Sequence, residues 1–194
     1  MKKILCLLGG AMLVINGIGQ GVTPLPLYID GRLPNLTFPK VINYKANTAT
    51  MDDFQGKQKK VVIFDFWNTH CAVCIAQFPK EIELQKKYAQ ELQFVMVTKE
   101  SKEKVEAFIA KWSNIHHLKL NIPIIVEDTL LMKKYIRVLY EPQYAWIDHH
   151  NRMIAQTSDY FINEEHVKSI LKLIASKKSR GKIRSKNESI LQNN

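Results

Sequence analysis

The chemistry that this sequence could perform centres on Cys71 and Cys74, which are separated by two residues in the segment FDFWNTHCAVCIAQFPK. Such a pair occurs as a redox-active dithiol, as half of a metal site or as a structural disulfide. A disulfide across so small a loop restricts the unfolded chain little and would add little stability. A structural zinc site usually needs four ligands, and the sequence has no second cysteine pair. These points favour redox chemistry.

The first 21 residues have the pattern of a secretory signal peptide. Two lysines precede an apolar stretch, Ile4 to Ile15, and small and polar residues follow. This stretch of 12 residues is shorter than the roughly 20 residues that span a bilayer. We therefore predict export to the periplasm with cleavage after Gly19 or Gly21. The alternative is retention at the membrane by an uncleaved segment.

The sequence has three cysteines, and the first of them, Cys6, lies inside the predicted signal peptide. Because a lipid-bearing cysteine would follow the apolar stretch, we interpret Cys6 as an apolar residue that is removed with the peptide. Cys71 and Cys74 are then the only thiols of the mature protein, so they can pair only with each other or transiently with a partner. Export also places them in a compartment where disulfides are formed and exchanged.

The positive charge is concentrated at the two ends of the chain. The formal net charge is +10, from 28 basic and 18 acidic side chains among 194 residues. Without the eight basic residues and one acidic residue of the ends, 20 basic and 17 acidic side chains remain, a charge of +3. This near balance, with no basic stripe among aromatic residues, argues against nucleic-acid binding. The basic tail is predicted to be disordered, with weak attraction to a membrane or polyanion as the alternative.

The residues around the cysteines predict a buried strand followed by an amphipathic helix. VVIFDFW, residues 61–67, is an apolar run broken only by Asp65, as in a central strand buried on both faces. Over residues 72–92, apolar residues recur at intervals of three and four, which is typical of a helix. Cys71 would lie at the helix N-terminus, where unpaired amides and the helix dipole stabilise a thiolate. Cys74, one turn further along, would be more covered and is the natural resolving thiol.

These segments resemble a known family. FDFWNTHCAVC…P is similar to the thioredoxin active-site segment, and residues 33–175 resemble the exported TlpA/ResA-like thiol-disulfide oxidoreductases. The resemblance implies an α/β, thioredoxin-like three-layer fold in which a mixed central sheet is flanked by helices, with an N-terminal hairpin extension. It divides the chain into a signal peptide at 1–21, a thioredoxin-like domain at 22–175 and the basic tail at 176–194.

The order of the predicted elements agrees with that fold. Downstream of the cysteines, LQFVMVTKE predicts a second strand, KEKVEAFIAKW a helix and IPIIVED a third strand. YAWIDHHNRMIAQTS predicts a hairpin, and a closing helix is expected from about residue 164 to residue 175. Alternating strands and helices that end in a hairpin and a helix are what the thioredoxin fold requires.

The resemblance gives three single residues a role. Asp65 corresponds to the buried acid that moves a proton to or from the resolving cysteine in thioredoxin, although TlpA-like relatives more often have Asn there. Desolvation should raise the pKa of an acid inside an apolar strand, unless its carboxylate reaches solvent at the strand end. Pro79 matches the proline that kinks the active-site helix, and would otherwise mark a helix boundary. Pro142 stands where the family has a cis-proline, which leaves the preceding backbone free to pair with a substrate strand.

Other positions depart from the family pattern. The family commonly has Trp or a similar bulky residue just before the first cysteine, where this chain has His70. The cysteines enclose Ala-Val instead of Gly-Pro or Pro-Pro. A protonated His70 would favour the Cys71 thiolate, whereas a solvated loop histidine is the alternative, and Glu141 nearby would oppose thiolate formation. We expect four residues to contact the partner protein: Trp67, His70, Glu141 and Pro142.

Two rival functions use the same residues differently. The THC triplet and His149-His150 suggest a copper-binding metallochaperone that resembles the Sco type, in which two thiolates and a distant histidine hold copper. The Sco motif spaces its cysteines C-x-x-x-C, however, and the two histidines fall in a predicted turn. A peroxidase of the peroxiredoxin group is less favoured, because FWNTHCAVC lacks the Pro-x-x-x-Thr-x-x-Cys pattern of that group.

The sequence therefore predicts a monomeric, exported disulfide reductase with no metal and no cofactor. Cys71 attacks the disulfide of another exported protein, Cys74 resolves the mixed disulfide, and Asp65 accepts the proton. The family resemblance implies that a membrane electron donor restores the dithiol. It also implies substrates such as apocytochrome c or another exported thiol protein.

Overall fold

The computed structural model describes residues 27–58 and 60–176. The predicted signal peptide at 1–21 and the tail beyond residue 176 lie outside these described residues. The described residues also include a short π-helix, Leu131–Tyr135, and a short 3₁₀-helix, Asp159–Phe161. The strands and helices, in chain order, are β1 (Thr37–Phe38), β2 (Val41–Ile42), β3 (Ala49–Thr50), α1 (Met51–Gln55), β4 (Val61–Phe66), α2 (Ala72–Lys87), β5 (Leu92–Val97), α3 (Lys102–His116), β6 (Ile124–Ile125), β7 (Gln143–Ile147), β8 (Met153–Ser158) and α4 (164–176).

Six strands form one mixed sheet in the order β2-β6-β5-β4-β7-β8. β4, β5 and β6 run parallel to one another, whereas β2, β7 and β8 are antiparallel to their neighbours. β4 pairs with β5 on one side and with β7 on the other, so the strand that leads to the cysteines is central, as its apolar sequence predicts. The predicted thioredoxin-like α/β fold with a mixed sheet is confirmed.

The side chains of β4 alternate between two cores on opposite faces of the sheet. Ile63 and Trp67 pack with residues of α2, α3 and α4 on one face. Phe64 and Phe66 pack on the other face, with α1 and the N-terminal strands. Because every residue of β4 is buried, the sheet is the middle of three layers.

Helix α2 begins directly after Cys71 and contains Pro79, so this proline lies inside the helix as the resemblance implies. The helix ends at Lys87, with Tyr88 as its C-cap, and is therefore shorter than the periodicity to residue 92 predicts. Leu92 is completely buried and pairs with Val61 at the start of β5. Pairing in the sheet takes precedence over the helical spacing at this residue.

The N-terminal hairpin is more integrated with the sheet than the sequence suggests. β1 and β3 pair in antiparallel fashion, but β2, which lies between them in the chain, pairs with β6 at the edge of the main sheet. Strand β3 leads directly into α1. At the start of this helix the Thr50 hydroxyl accepts a hydrogen bond from the Asp53 backbone N–H, and the Asp53 carboxylate accepts one from the Thr50 backbone N–H. The hairpin therefore also extends the sheet by one strand.

The C-terminal part contains the predicted hairpin, formed by β7 and β8, and the predicted closing helix, α4. In the part of the chain that the structure describes, no helix has both the length and the apolar composition needed to cross a membrane.

Candidate active site

Cys71 and Cys74 form a disulfide in the turn that joins β4 to α2, with their Cα atoms 5.2 Å apart. Cys71 is the N-cap of α2, and its Sγ accepts a hydrogen bond of 3.2 Å from the backbone N–H of Cys74. Cys71 is half-buried, whereas Cys74 is completely buried. An incoming sulfur could therefore reach Cys71, while Cys74 is covered by the protein.

The N-terminus of α2 provides a favourable environment for a negative charge on Cys71. The first turn of this helix of 16 residues contains no acidic side chain. Its unpaired amides and the positive end of its dipole are directed at the Cys71 sulfur, which already accepts one amide hydrogen bond. These features stabilise a thiolate relative to a thiol.

A polar network holds the loop before the cysteines. The backbone N–H and hydroxyl of Thr69 donate to the carboxylate of Glu100, at 2.8 and 2.9 Å. Lys104 forms an ion pair of 2.6 Å with the same carboxylate. Partial burial raises the pKa of Glu100, but the hydrogen bonds from Lys104 and Thr69 outweigh this effect and the net pKa is lowered. The loop is thus fastened to α3 by an ionised carboxylate.

His70 contributes to this network through a contact that the sequence does not reveal. Its Nε2 lies 3.1 Å from Nζ of Lys104, and its side chain is exposed. Because an ammonium group can only donate, Nε2 of His70 is the acceptor and carries no proton in this contact. This contact places the positive charge of Lys104 beside the loop, and the exposure of His70 agrees with the alternative of a solvated loop histidine.

The loop before β7 lies next to the dithiol turn. Gln143, the first residue of β7, pairs with Phe66, the last residue of β4. The Glu141–Pro142 peptide bond is cis, which confirms the isomer predicted from the resemblance. Glu141 accepts a hydrogen bond from the side chain of Asn68, and Pro142 is buried. Glu141 and Pro142 thus border the site, and their contact with a partner protein stays a prediction.

Asp65, near the end of β4 that leads to the cysteines, is completely buried. It shares a face of β4 with Ile63 and Trp67, and Cys74 packs in the core cluster on that face. Neither carboxyl oxygen of Asp65 has a hydrogen-bond partner among the described residues. Burial, followed by the negative charge of Glu81, raises the pKa of Asp65 well above its usual range. The alternative, a carboxylate that reaches solvent at the strand end, is wrong.

A second buried carboxyl, Glu81, was not identified from the sequence. It lies on α2, is completely buried and accepts a hydrogen bond of 2.7 Å from the hydroxyl of Tyr144. Burial raises the pKa of Glu81 to about 7, although the Tyr144 hydrogen bond acts in the opposite direction. The sequence did contain a signal, because Glu81 is three residues from both Phe78 and Leu84 and so shares their buried face.

Trp67 differs from its expected role in binding a partner. Its side chain is completely buried and packs against Phe78 and Phe108, with ring centroids 5.2 and 5.8 Å away. A surface contact with a partner is not possible in this position. Trp67 directly follows the last residue of β4. The core cluster beneath α2 and α3 covers its side chain.

Exposed apolar residues surround the cysteines, and sequence analysis missed them. Val73, between the two cysteines, is 52% exposed, while Leu139 and Tyr140, just before the cis-proline, are 68% and 53% exposed. Tyr160 and Phe161 follow the end of β8 and are also exposed. That end of β8 pairs with the start of β7, which places all five residues at the dithiol end of the sheet. We call them the apolar rim.

The histidines of the copper hypothesis lie at the other end of the sheet. His149 and His150 are in the turn after β7, whose last residue, Ile147, pairs with Val62 near the start of β4. The cysteines follow the opposite end of β4, about 14 Å along the strand at the usual rise per residue. Within residues 27–58 and 60–176, no group of three or more His, Cys, Asp or Glu side chains could hold a metal ion. The geometry does not favour copper binding.

Comparison with known sequences agrees with this fold. Residues 29–169 match the AhpC/TSA family. Among curated proteins, the Thioredoxin-like protein YneN of Bacillus subtilis strain 168 is 29% identical over 96 residues, which are 50% of this chain and 54% of YneN. The chain thus aligns with about half the length of this relative.

Comparison with solved structures also identifies the fold. A proposed thiol:disulfide interchange protein DsbE from Chlorobium tepidum superposes with a TM-score of 0.59 at 20% identity, over 75% of this chain and 99% of that protein. The exposed lipoprotein thioredoxin Etrx1 from Streptococcus pneumoniae gives 0.54 at 23% identity, over 72% and 98%. A yeast mitochondrial 1-Cys peroxiredoxin gives 0.56 at 14% identity, over 80% and 78%.

Proposed function

Because the chain belongs to the AhpC/TSA family of thioredoxin-like proteins, we propose that it is an exported thiol-disulfide oxidoreductase that reduces partner disulfides through Cys71 and Cys74. One observation carries this proposal. A half-buried outer cysteine at a helix N-terminus and a fully buried inner cysteine form a disulfide, and a buried carboxyl, Asp65, lies on the same face of the sheet as the inner cysteine. This arrangement allows one sulfur to be attacked from outside and the other to react only within the protein.

The cycle begins with the reduced protein. The Cys71 thiolate attacks a partner disulfide, so that one S–S bond forms between Cys71 and the partner and the first partner sulfur leaves as a thiolate. Cys74 then loses its proton and attacks the Cys71 sulfur, which restores the Cys71–Cys74 disulfide and releases the second partner sulfur as a thiolate. The partner gains two electrons, and the protein loses two.

Asp65 is the proposed base for the second step. It lies on the buried face that Cys74 also occupies, and Cys74 has no access to bulk water. A buried thiol has little tendency to ionise without a nearby acceptor for its proton. A carboxyl with a raised pKa can accept a proton near neutral pH and release it again.

The apolar rim, together with His70, Glu141 and Pro142, forms the proposed partner-binding surface. The rim residues are exposed around Cys71, so they could cover apolar side chains beside a partner disulfide. The backbone before Pro142 could pair with an extended partner segment. Trp67 supports this surface from the core and has no direct contact with a partner.

The direction of electron flow and the location follow from the family resemblance and the signal-peptide pattern. In an oxidising compartment such as the periplasm, a thioredoxin-like protein that reduces disulfides requires an electron donor in the membrane. The substrates would be exported proteins with disulfides, and apocytochrome c is one candidate, which would assign the chain to cytochrome c maturation. The protein would act as a monomer.

Two cysteine variants test the mechanism. Cys74→Ser should accumulate mixed disulfides with exported proteins, detectable by non-reducing electrophoresis, whereas Cys71→Ser should not. Equal trapping by both variants would contradict the assignment of Cys71 as the nucleophile.

A reconstituted assay tests the class of reaction. The reduced mature domain should reduce insulin without added metal, and its equilibrium potential against glutathione should be strongly negative. A potential well above that of the compartment would indicate an oxidase or isomerase instead. Activity that depends on copper, or rapid consumption of peroxide without transfer to a disulfide, would overturn the proposal in favour of a rival class.

A further inference from the structure

The mechanism above gives no role to Glu81, although its position is unfavourable for a residue that only packs. Its side chain is completely buried, one oxygen accepts a hydrogen bond from Tyr144, and the other has no partner among the described residues. An apolar side chain would avoid the desolvation of this carboxyl. A functional explanation is therefore required.

The register of the sheet and the helical repeat bring Glu81 to the proposed base. Tyr144 on β7 is directly opposite Asp65 on β4, and directly opposite residues of paired strands have neighbouring side chains on one face. The Tyr144 hydroxyl reaches Glu81 from this face. Glu81 lies seven residues, about two helical turns, after Cys74 on α2, so both residues face the sheet. Cys74, Asp65, Tyr144 and Glu81 thus line one buried layer.

Two carboxyl groups in one dry layer cannot both be ionised near neutral pH. Burial raises the pKa of each group, and the charge of Glu81 raises the pKa of Asp65 further. The Tyr144 hydroxyl stabilises the ionised form of Glu81, whereas Asp65 has no donor among the described residues. The Tyr144 hydrogen bond therefore favours the single negative charge on Glu81 and the proton on Asp65. In that state Asp65 cannot accept a second proton from Cys74.

We propose that Glu81 is the final acceptor of the Cys74 proton, which Asp65 relays, and that Tyr144 holds Glu81 in position for this transfer. The inference rests on the proposed function, and it makes Glu81 and Tyr144 positioning residues that act through Asp65. The S–H bond of Cys74 breaks and its proton passes to Asp65, while the proton of Asp65 passes to Glu81. The electron pair left on Cys74 forms the S–S bond with Cys71, and the electron pair of the broken bond leaves with the partner sulfur.

The two carboxyl groups are then both neutral, beneath a closed disulfide. When the electron donor reduces that disulfide, the Cys74 thiolate takes back the proton, and the negative charge returns to Glu81. Other charges act on the layer more weakly: Glu141 on Asp65, Asp159 on Tyr144 and Lys80 on Glu81.

The test measures the resolution of a preformed mixed disulfide between Cys71 and a fluorescent peptide as a function of pH. The carboxyl that loses its proton first in the wild type is Glu81, because the Tyr144 hydroxyl stabilises its ionised form. Without Glu81 the acceptor is Asp65, which has no such donor among the described residues. In Glu81→Gln, the midpoint of the resolution rate should therefore move upward by about one pH unit, and the rate at pH 7 should fall about ten-fold. Glu83→Gln, an exposed acid on the same helix, is the matched control and should leave the profile unchanged.

Tyr144→Phe gives a second variant in case Glu81→Gln does not fold. It removes the hydroxyl that stabilises the Glu81 carboxylate, so the midpoint should again move upward, by less than in Glu81→Gln. The initial attack by Cys71 should keep its wild-type rate in both variants. A merely structural role of Glu81 or Tyr144 would change stability and leave the midpoint of the resolution profile in place.

A carboxyl carbon NMR titration of the oxidised protein provides a readout without turnover. The Glu81 signal, identified by its loss in Glu81→Gln, should titrate near pH 7. Ordinary titration of Glu81, or a wild-type resolution profile in Glu81→Gln, would overturn the role of Glu81 alone. Cys74→Ser protein that forms no mixed disulfide would overturn the proposed function, and the proton route with it.

Discussion

Buried polar groups at the two ends of the central sheet differ in whether the protein satisfies them. At the end far from the cysteines, the Gln55 amide donates to the carbonyl of Asp148 at 2.9 Å, and Asp148 accepts from two backbone amides of the following turn, at 2.8 and 2.9 Å. At the cysteine end, Asp65 and Glu81 are equally buried, but three of their four oxygens have no partner among the described residues.

The difference separates structural polar groups from functional ones. A buried group whose hydrogen bonds are complete can hold a turn in place at little net cost. A buried carboxyl without partners is unfavourable for the fold, and such positions are most often found where the chemistry needs them. The contrast predicts that changes at the far end will alter stability alone, whereas changes beneath the cysteines will alter the proton chemistry.

The largest effect on stability is expected on the opposite, apolar face of the sheet. Phe64 is completely buried and packs against Phe38, with the ring centroids 6.1 Å apart. Phe64→Ala should lower the free energy of unfolding by about 3–5 kcal/mol, because it leaves a cavity in this core. Chemical denaturation measures the loss. The pH profile of resolution should be unchanged in the folded protein, and a shifted profile would mean that the two faces are coupled.

A smaller loss is expected at the satisfied polar end. Asp148→Ala removes the acceptor of two part-buried backbone amide hydrogen bonds and should lower the free energy of unfolding by about 1–3 kcal/mol, since each such bond contributes about 0.5–1.5 kcal/mol. Glu83→Ala, at an exposed position, should change it by less than about 0.5 kcal/mol. Redox turnover per folded molecule should be the same in both variants. Altered turnover in Asp148→Ala would contradict a purely structural role for this end.

At the cysteine end, removal of a buried carboxyl group should stabilise the protein. Burial raises the folded-state pKa of Asp65, so the wild type loses stability as pH rises above the unfolded value of about 3.9. Asp65→Asn keeps the shape without this titration, and it should be more stable than wild type by about 1 kcal/mol at pH 8, with a smaller difference at pH 4. Denaturation curves at both pH values measure the difference.

The same variant tests the function of Asp65. Resolution by Cys74 should slow more than attack by Cys71, and its pH dependence should flatten, because the group that receives the proton is absent. Equal stability from pH 4 to pH 8 together with unchanged resolution would show that Asp65 has no part in proton transfer.

The smallest effect is expected from the exposed charge beside the loop. Lys104 contacts both His70 and Glu100, so Lys104→Met removes the positive charge nearest to the loop before Cys71. The attack rate at pH 7 should fall about two- to five-fold at low salt, and the difference should shrink at high salt because an exposed charge is screened. Lys111→Met, on the same helix, is the control. A difference that persists at high salt would contradict this electrostatic origin.

Several features of the site could be predicted from the sequence because they depend on short-range patterns. An apolar run followed by helical spacing places Cys71 at a strand-to-helix junction, whatever the rest of the fold. An acid in the middle of that run, Asp65, is buried wherever the strand is central. The cis bond before Pro142 and the position of Pro79 within its helix were predicted from the family resemblance, which carries long-range information that one sequence lacks.

Other features depended on the packing of distant segments and could not be predicted. The hydroxyl of Tyr144 and the carboxylate of Glu81 are 63 residues apart in the chain and meet only when α2 docks on the β4–β7 ladder. Trp67 was expected to contact the partner protein, but α2 and α3 close over it. The exposure of Leu139 and Tyr140 depends on how the cis-proline loop leaves the sheet.

The sequence by itself therefore determined the elements, the location of the dithiol and the identity of the first buried acid. These properties follow from the periods of helix and strand, which operate within a few residues. Only the tertiary structure decided which groups meet beneath the cysteines, and which side chains remain exposed around them. Strand register and helix docking act between segments far apart in the chain, so no local pattern encodes the Asp65, Tyr144 and Glu81 layer.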